Sequence, residues 1–217
     1  MNVHASEEEQ VEALKNWWKE NGSSVVTGVL LGLSVLLGGK AWFSYQESQQ
    51  LNASNIYAQM MAVSATGDSE QVKTHANVLI TEFTSSVYAP LAAMLLAKQA
   101  VESDELSAAQ AQLEWALDKA TTPAIEHTAR TRLVRVMIDQ AQYAQAEVML
   151  DSVADAGAYQ VVYNELRGDL AVAQGEPEKA AAAYEAALSG TVGEVQGQNT
   201  ALLSAKLESV SARGETE

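Results

Sequence analysis

Residues 175–188 read GEPEKAAAAYEAAL, and a related stretch, AQYAQAEVMLDSV, lies 34 residues earlier at 141–153. A third copy, DELSAAQAQLEWAL, lies a further 37 residues back at 104–117. Each copy has a small residue, a large apolar residue four positions later, and a small or β-branched residue three positions after that. These positions are Ala109, Leu113 and Ala116; Ala146, Leu150 and Val153; and Ala180, Tyr184 and Ala187. A period in this range is typical of helical-repeat architectures.

The pattern resembles the tetratricopeptide repeat (TPR), in which each repeat is a helix-turn-helix hairpin. Gly168 also fits, since that pattern expects a small residue twelve positions before Ala180, where the earlier copies have Val134 and Ala97. Small residues let paired helices approach closely, and the large residue fills the groove between repeats. With abundant alanine and few prolines, the sequence predicts an all-α fold. We expect one N-terminal transmembrane helix followed by a TPR-like helical-repeat solenoid.

The apolar periodicity predicts the helix positions of the soluble part. First helices of the pairs are expected at 87–103, 124–140 and 159–174, and second helices at 105–119, 143–154 and 177–189. Two helices at 46–65 and 69–83 precede them. The tail at 194–212, with Val195, Leu202, Leu203 and Leu207, predicts a helix that covers the last apolar face of the solenoid.

An uncharged run of 19 residues, Asn21 to Gly39, predicts the transmembrane helix. Trp17 and Trp18 precede it, and Trp42, Phe43 and Tyr45 follow it, as expected for interfacial anchors. Glutamates dominate the N-terminal flank and no small-residue cleavage site follows, so we expect an uncleaved anchor. The predicted organisation is an acidic cytoplasmic N-terminus at 1–21, a transmembrane helix at 22–43, and a periplasmic repeat domain at 44–217.

Within the anchor, Ser24, Gly28 and Gly32 lie one helical turn apart and form a face of small residues. A G-x-x-x-G spacing lets transmembrane helices pack closely, so this face is a hypothesis for a helix–helix contact. The alternative is a helix that merely contains glycines. Lys15 and Lys19 before the run, against Lys40 after it, favour an N-terminus on the cytoplasmic side.

The composition excludes several classes of function. The net charge is −15, which disfavours nucleic acid as a partner, and there is no cysteine for disulfides or thiol chemistry. The histidines His4, His75 and His127 are far apart and form no metal-binding pattern. No phosphate-binding glycine loop and no nucleophile elbow is present. We therefore expect no cofactor, no metal and no catalytic residues.

The three arginines Arg130, Arg132 and Arg135 are the local concentration of positive charge in the domain, on the first helix of the middle repeat. In TPR arrays the first helices line the concave face. One interpretation is contact with a carboxylate of a bound peptide. The other is a solvated helix face with ion pairs to Glu126 or Asp139.

The whole chain resembles the YfgM family, the ancillary subunits of the bacterial SecYEG translocon. The resemblance rests on residues 10–15, QVEALK; on Trp17-Trp18 and residues 20–22, ENG; and on residues 38–42, GGKAW. In the repeats it rests on Glu105-Leu106 and on residues 166–169, LRGD. It implies a Gram-negative inner-membrane protein with a cytoplasmic N-terminus and a periplasmic TPR-like domain.

The same resemblance implies the partners, which are the SecYEG translocon, a PpiD-type membrane-anchored periplasmic chaperone, and newly translocated secretory chains. It carries over no catalytic residues. The function that it implies is a non-enzymatic membrane-anchored scaffold. The alternative is a structural inner-membrane protein that associates only with itself, through the glycine face and the ends of the repeats.

Overall fold

The computed structural model describes residues 7–153, 155–190 and 197–214, and within these ranges the chain is all-α, without strands. It divides into two compact units, Met1–Leu51 and Asn52–Glu217. The helices, in chain order, are α1 (Glu7–Thr66), α2 (Ser69–Glu82), α3 (Tyr88–Glu102), α4 (Leu106–Asp118), α5 (Pro123–Asp139), α6 (Tyr143–Asp151), α7 (Gln160–Gln174), α8 (Pro177–Ser189) and α9 (Gly197–Gly214). A short 3₁₀ helix, Gly157–Tyr159, precedes α7.

In the first unit, α1 carries large apolar side chains that are exposed around its whole circumference. They include Val26, Val29, Leu30, Leu31, Leu33, Val35, Leu36 and Leu37. A helix that is apolar on every side needs either a protein core or lipid around it. Within the described ranges, α1 is the one helix that is long and apolar enough to cross a membrane.

In the second unit, the helices form successive hairpins, α3 with α4, α5 with α6, and α7 with α8, as the TPR-like pattern predicts. The first helix of one hairpin also packs on the first helix of the next, since α3 contacts α5 and α5 contacts α7. The predicted boundaries of the three repeat hairpins agree with the structure to within one or two residues, with one clear exception, and the segment 46–65 is the last part of the continuous helix α1. The helix expected at 143–154 ends at Asp151, and the Ser152 hydroxyl that follows donates to the Met149 carbonyl (2.8 Å).

Each hairpin turn contains one residue in the left-handed conformation, at the same place in the repeat. These residues are Asp104 (φ 60°), Ala141 (φ 57°) and Gly175 (φ 77°). The next residue donates its amide to a carbonyl in the last turn of the first helix, at 2.8 Å in all three repeats. The pairs are Glu105 to Ala100, Gln142 to Met137, and Glu176 to Ala171. This is a Schellman-type helix end, which fixes where the second helix starts.

A fourth hairpin lies in the same register although its sequence does not show the repeat pattern. Gly67 has φ 80° and lies 37 residues before Asp104, between the end of α1 and α2. The buried residues Val72, Ala76 and Leu79 of α2 take the places of Ala109, Leu113 and Ala116. In this hairpin the small residue lies between two larger ones, so the order of sizes in the repeat pattern is inverted. These α2 residues pack against Ala53 and Met60, from the part of α1 that belongs to this unit.

The positions that define the repeats are buried in the second helices. Ala109, Leu113, Ala116, Ala146, Leu150, Ala180, Tyr184 and Ala187 are each at most 2% exposed. Val153 differs because it lies beyond the last residue of α6 and is only partly buried against the core. Gly168 is buried on α7 facing Tyr184, and a Cβ at this glycine would lie 2.5 Å from Cδ1 of the tyrosine ring.

The last hairpin is covered by α9, which buries Leu203 and Val210 against α7 and α8. Lys206 of α9 reaches α7, with Nζ 2.7 Å from a carboxylate oxygen of Glu165 and 2.7 Å from one of Asp169. Burial opposes the charge on Lys206, but the hydrogen bonds to Asp169 and Glu165 outweigh it and raise the pKa of the amine. The predicted capping helix is thus formed over the described part of the tail, and Val195 lies outside the described residues.

Replacing glycine by alanine at one left-handed turn, and alanine by glycine at another, should change the free energy of unfolding in opposite directions. Gly175→Ala should lower the free energy of unfolding by about 1 kcal/mol, because an L side chain resists positive φ. A Cβ at Gly175 meets no atom within 4 Å, so only backbone strain contributes. Ala141→Gly should raise it by up to about 1 kcal/mol. Urea unfolding of the full chain in detergent, followed by circular dichroism, measures both, and equal signs would contradict the assignment.

The close fit of Gly168 and Tyr184 should be replaceable by the pair at the same places in the middle repeat, Val134 and Leu150. Gly168→Val alone should destabilise by about 1–3 kcal/mol through overcrowding, and Tyr184→Leu alone through a void. The double variant should regain part of the loss. Recovery should be incomplete, because the Tyr184 hydroxyl donates to Asp169 (2.8 Å). Strictly additive losses in the same unfolding experiment would show that the two side chains do not constrain each other.

Candidate partner-binding groove

An open groove of about 470 Å³ lies between α3 and α5, the first helices of two successive hairpins. Helix α5 begins at a well-defined point, because the Thr122 hydroxyl accepts from the Ile125 amide (3.3 Å) and Pro123 occupies the first turn. Leu133, Val134 and Val136 of α5 are buried in the core, whereas Arg132 and Arg135 beside them are exposed. The lining consists of Met94, Ala97, Lys98, Val101, Glu102, Leu113, Arg132, Arg135, Val136 and Asp139.

Arg132 and Arg135 line one wall of this groove and are exposed. They are three residues apart on α5, which places them on the same face of the helix. In the described part of the chain neither guanidinium has an ion pair or a side-chain hydrogen bond with another residue. Both therefore present a full set of donors toward the groove.

The other charges of the groove come from its opposite wall and its end. Lys98 and Glu102 of α3 form a loose ion pair with 3.6 Å between Nζ and Oε1, and both side chains are largely exposed. Asp139 is the last residue of α5 and lines the end of the groove. The lining thus carries three cations and two anions, a local excess of positive charge on a chain of net charge −15.

Arg130 is held differently from the other two arginines of the predicted cluster. One terminal nitrogen donates to Glu126 Oε1 (2.7 Å), and the other donates to Ser152 Oγ (2.8 Å) and to the Met149 sulfur (3.4 Å). Its side chain is only 14% exposed. Arg130 therefore fastens α5 to the end of α6. Of the two interpretations of the cluster, the ion pair with Glu126 applies to Arg130, and the groove position applies to Arg132 and Arg135.

An aromatic cluster that the sequence pattern did not indicate joins α5 to the start of α7. The His127 ring stacks on Tyr159 with centroids 4.4 Å apart, and its Nδ1 lies 2.9 Å from the Tyr163 hydroxyl. Burial raises the pKa of Tyr163, with nearby Arg130 acting in the opposite direction. The spacing of four residues between Tyr159 and Tyr163 was the feature of the sequence that could have indicated this cluster. His4 lies outside the described residues.

The small-residue face of the anchor is exposed along α1 in the first unit. Ser24, Gly28 and Gly32 are all exposed, and a Cβ at either glycine would meet no atom within 4 Å outside the helix backbone. Substitutions there would cause no clash within the chain itself.

In the described ranges, no group of three or more His, Cys, Asp or Glu residues could hold a metal ion.

The fold and the groove define a class, an all-α helical-repeat protein with one N-terminal helix that is long and apolar enough to cross a membrane. The family described as a tetratricopeptide repeat-like domain matches residues 15–212. Three curated relatives carry the name ancillary SecYEG translocon subunit. The one from Escherichia coli strain K12 is 30% identical over 88% of this chain and 92% of its own length. The one from Haemophilus influenzae is 29% identical over 86% and 91%, and the one from Neisseria gonorrhoeae 23% over 97% and 100%.

The chain therefore belongs to the tetratricopeptide repeat-like family and, within it, to the family of ancillary SecYEG translocon subunits. The resemblance stated from the sequence is confirmed by these comparisons.

The structural difference between the arginines predicts different effects on stability. Arg130→Ala should lower the free energy of unfolding by about 1–3 kcal/mol, because it removes a charged donor that joins two helices and leaves Glu126 without its partner. Arg132→Ala, on an exposed position, should change it by less than about 0.5 kcal/mol. Urea unfolding of the two variants measures the difference. Equal losses would mean that Arg130 does not fasten the hairpin.

Proposed function

We propose that this protein is a non-enzymatic scaffold of the bacterial inner membrane that associates with the SecYEG translocon and binds proteins through the α3–α5 groove. The observation that carries the proposal is the combination, in one chain, of a helix long and apolar enough to cross a membrane and a repeat domain with an open groove, in which Arg132 and Arg135 have no ion-pair partner among the described residues. Relatives that cover almost the same length are named as ancillary subunits of that translocon.

The orientation follows from charge. Lys15 and Lys19 precede the apolar run, and Lys40 is the only lysine or arginine between its end and Lys73. Positively charged flanks stay on the cytoplasmic side, so the N-terminus is cytoplasmic and the repeat domain is periplasmic. In this position the domain faces newly translocated secretory chains and a PpiD-type membrane-anchored chaperone, the two partners that the family resemblance implies.

The membrane anchor allows a groove of modest affinity to be occupied by its ligands. Holding two binding surfaces on one membrane complex raises their effective concentration to about the millimolar range for a short connection. Contacts with only modest affinity are then occupied beside the translocon, yet they release quickly. A scaffold that passes chains onward needs both properties.

The face formed by Ser24, Gly28 and Gly32 is the proposed contact with a transmembrane helix of the partner complex. The residues are small and lie one turn apart, so a second helix can approach the backbone closely. Because neither glycine is packed against another part of the chain, bulky substitutions there act on the partner contact and leave the domain unchanged.

Gly28→Leu combined with Gly32→Leu should abolish or strongly reduce co-purification of SecY-type channel subunits with the full-length protein in mild detergent. The matched control is Ser34→Leu with Gly38→Leu, which also adds two leucines four residues apart but on a different face of α1. A Cβ at Gly38 likewise meets no atom within 4 Å. Mass spectrometry of the purified material measures the recovery of each partner.

Wild-type protein and control variant should both recover the channel subunits. Equal loss in both variants would mean that general bulk in the anchor matters and would contradict the specific face. If the wild-type protein is recovered only with further copies of itself, the translocon assignment is wrong, and self-association takes its place.

A further inference from the structure

The lining of the α3–α5 groove specifies a ligand chemistry more closely than a general protein-binding role does. Its floor is apolar, formed by Met94, Ala97, Leu113 and Val136, and Val101 at its edge is 41% exposed. An exposed valine beside buried apolar neighbours is surface that a ligand's apolar side chain covers with a gain in free energy. The groove therefore favours an apolar side chain beside Val101.

The wall formed by α5 favours carboxylates. Arg132 and Arg135 have no partner among the described residues, and a guanidinium binds a carboxylate through two parallel hydrogen bonds. The overall charge of −15 repels anionic ligands at long range, but this repulsion is screened beyond about 8 Å at physiological ionic strength. Paired contacts at hydrogen-bond distance are much less affected.

The end of the groove has the opposite sign. Asp139 is the last residue of α5, where the carbonyl end of the helix adds partial negative charge, whereas Glu102 at the end of α3 is loosely paired with Lys98. Along α5, Asp139 lies about 10 Å from Arg132 and about 6 Å from Arg135 at the rise of an α-helix. A ligand with carboxylates beside the arginines and none at this end matches both signs, so the groove distinguishes acidic segments from uniformly anionic surfaces.

We propose that the α3–α5 groove binds extended polypeptide segments in which acidic residues flank a large apolar residue. The apolar side chain packs on the floor beside Val101, and the carboxylates pair with Arg132 and Arg135. This assignment rests on the proposed scaffold function and names the class of segment that the scaffold takes up. Charge complementarity and the apolar floor together favour a polypeptide over a phosphate-bearing ligand, which would satisfy the arginines but leave the floor uncovered.

The test measures binding of short, end-capped peptides to the full-length protein in detergent by fluorescence polarisation. One probe peptide has a central Leu flanked by Glu on a Gly/Ser background. Others replace both Glu by Lys or by Gln, or replace Leu by Ser. The wild-type protein should bind the Glu-Leu-Glu probe at least about tenfold more tightly than the Lys probe, and more tightly than the Ser probe.

Arg132→Glu with Arg135→Glu should reverse that order of charge preference. The control variant, Lys73→Glu with Lys179→Glu, makes the same change in net charge at exposed positions outside this groove and should keep the wild-type order. Both pairs lie on the surface, so the urea midpoints of the variants should stay close to wild type. Val101→Ser should weaken binding of the Leu probe and leave the Ser probe unchanged.

Equal binding of the Glu and Lys probes, an unchanged order in the arginine variant, or equal loss in the lysine control would each overturn the proposal. Displacement of the Glu-Leu-Glu probe by inorganic phosphate as readily as by unlabelled peptide would also overturn it, because it would assign a simple anion site. If any of these results is found while SecY-type subunits still co-purify with the protein, the proposed ligand class alone is refuted. If SecY-type subunits do not co-purify with the wild-type protein, the proposed scaffold function is refuted.

Discussion

The three repeat hairpins α3–α4, α5–α6 and α7–α8 each depend on a turn that places one residue in the left-handed conformation. That residue lets the next amide reach back to the last turn of the first helix, which fixes the start of the second helix. The three turns at Asp104, Ala141 and Gly175 have the same hydrogen bond at the same length, although only one of them is a glycine. The packing that surrounds each turn therefore supplies enough free energy to hold an L residue at positive φ.

Once the turn is fixed, the size of a few side chains decides how closely the helices pack. Tyr184 of α8 meets Gly168 of α7, sixteen positions earlier, and Leu113 and Ala97 have the same spacing in the first of the three repeats. The largest of these second-helix side chains therefore faces a first-helix residue with no side chain at all, as expected for an interior packed to nearly constant density.

The sequence was informative where this pairing repeats with the usual order of sizes, and less so elsewhere. Three hairpins and the capping helix could be predicted, because small and large residues recur at 34 and 37 positions. The first hairpin was read as helices but not as a repeat, since Val72, Ala76 and Leu79 invert the order of sizes. The early end of α6 at Asp151 was not predicted either, because nothing in the repeat pattern marks it.

The arginine cluster shows what a helical rotation can add to a sequence pattern. At about 100° per residue, Arg132 and Arg135 lie about 60° apart, whereas Arg130 lies about 160° from Arg132. His127 and Val134 share the side of Arg130 that turns toward α6 and α7. The separation into one fastening arginine and two groove arginines was thus available from the spacing. The absence of ion-pair partners for Arg132 and Arg135 could not be predicted from the spacing, because it depends on where acidic side chains of other helices lie in the three-dimensional structure.

This arrangement separates binding from folding. The core positions of α5 stabilise the domain, and the intervening outward positions contribute little to stability, so their chemistry is free to suit a ligand. In the proposed function, the two guanidiniums without ion-pair partners and the apolar floor form a site that selects its ligand by the sign of charge. If the chain is held in the membrane beside its partners, as proposed, the raised local concentration fills such a site even at modest affinity, while release stays fast.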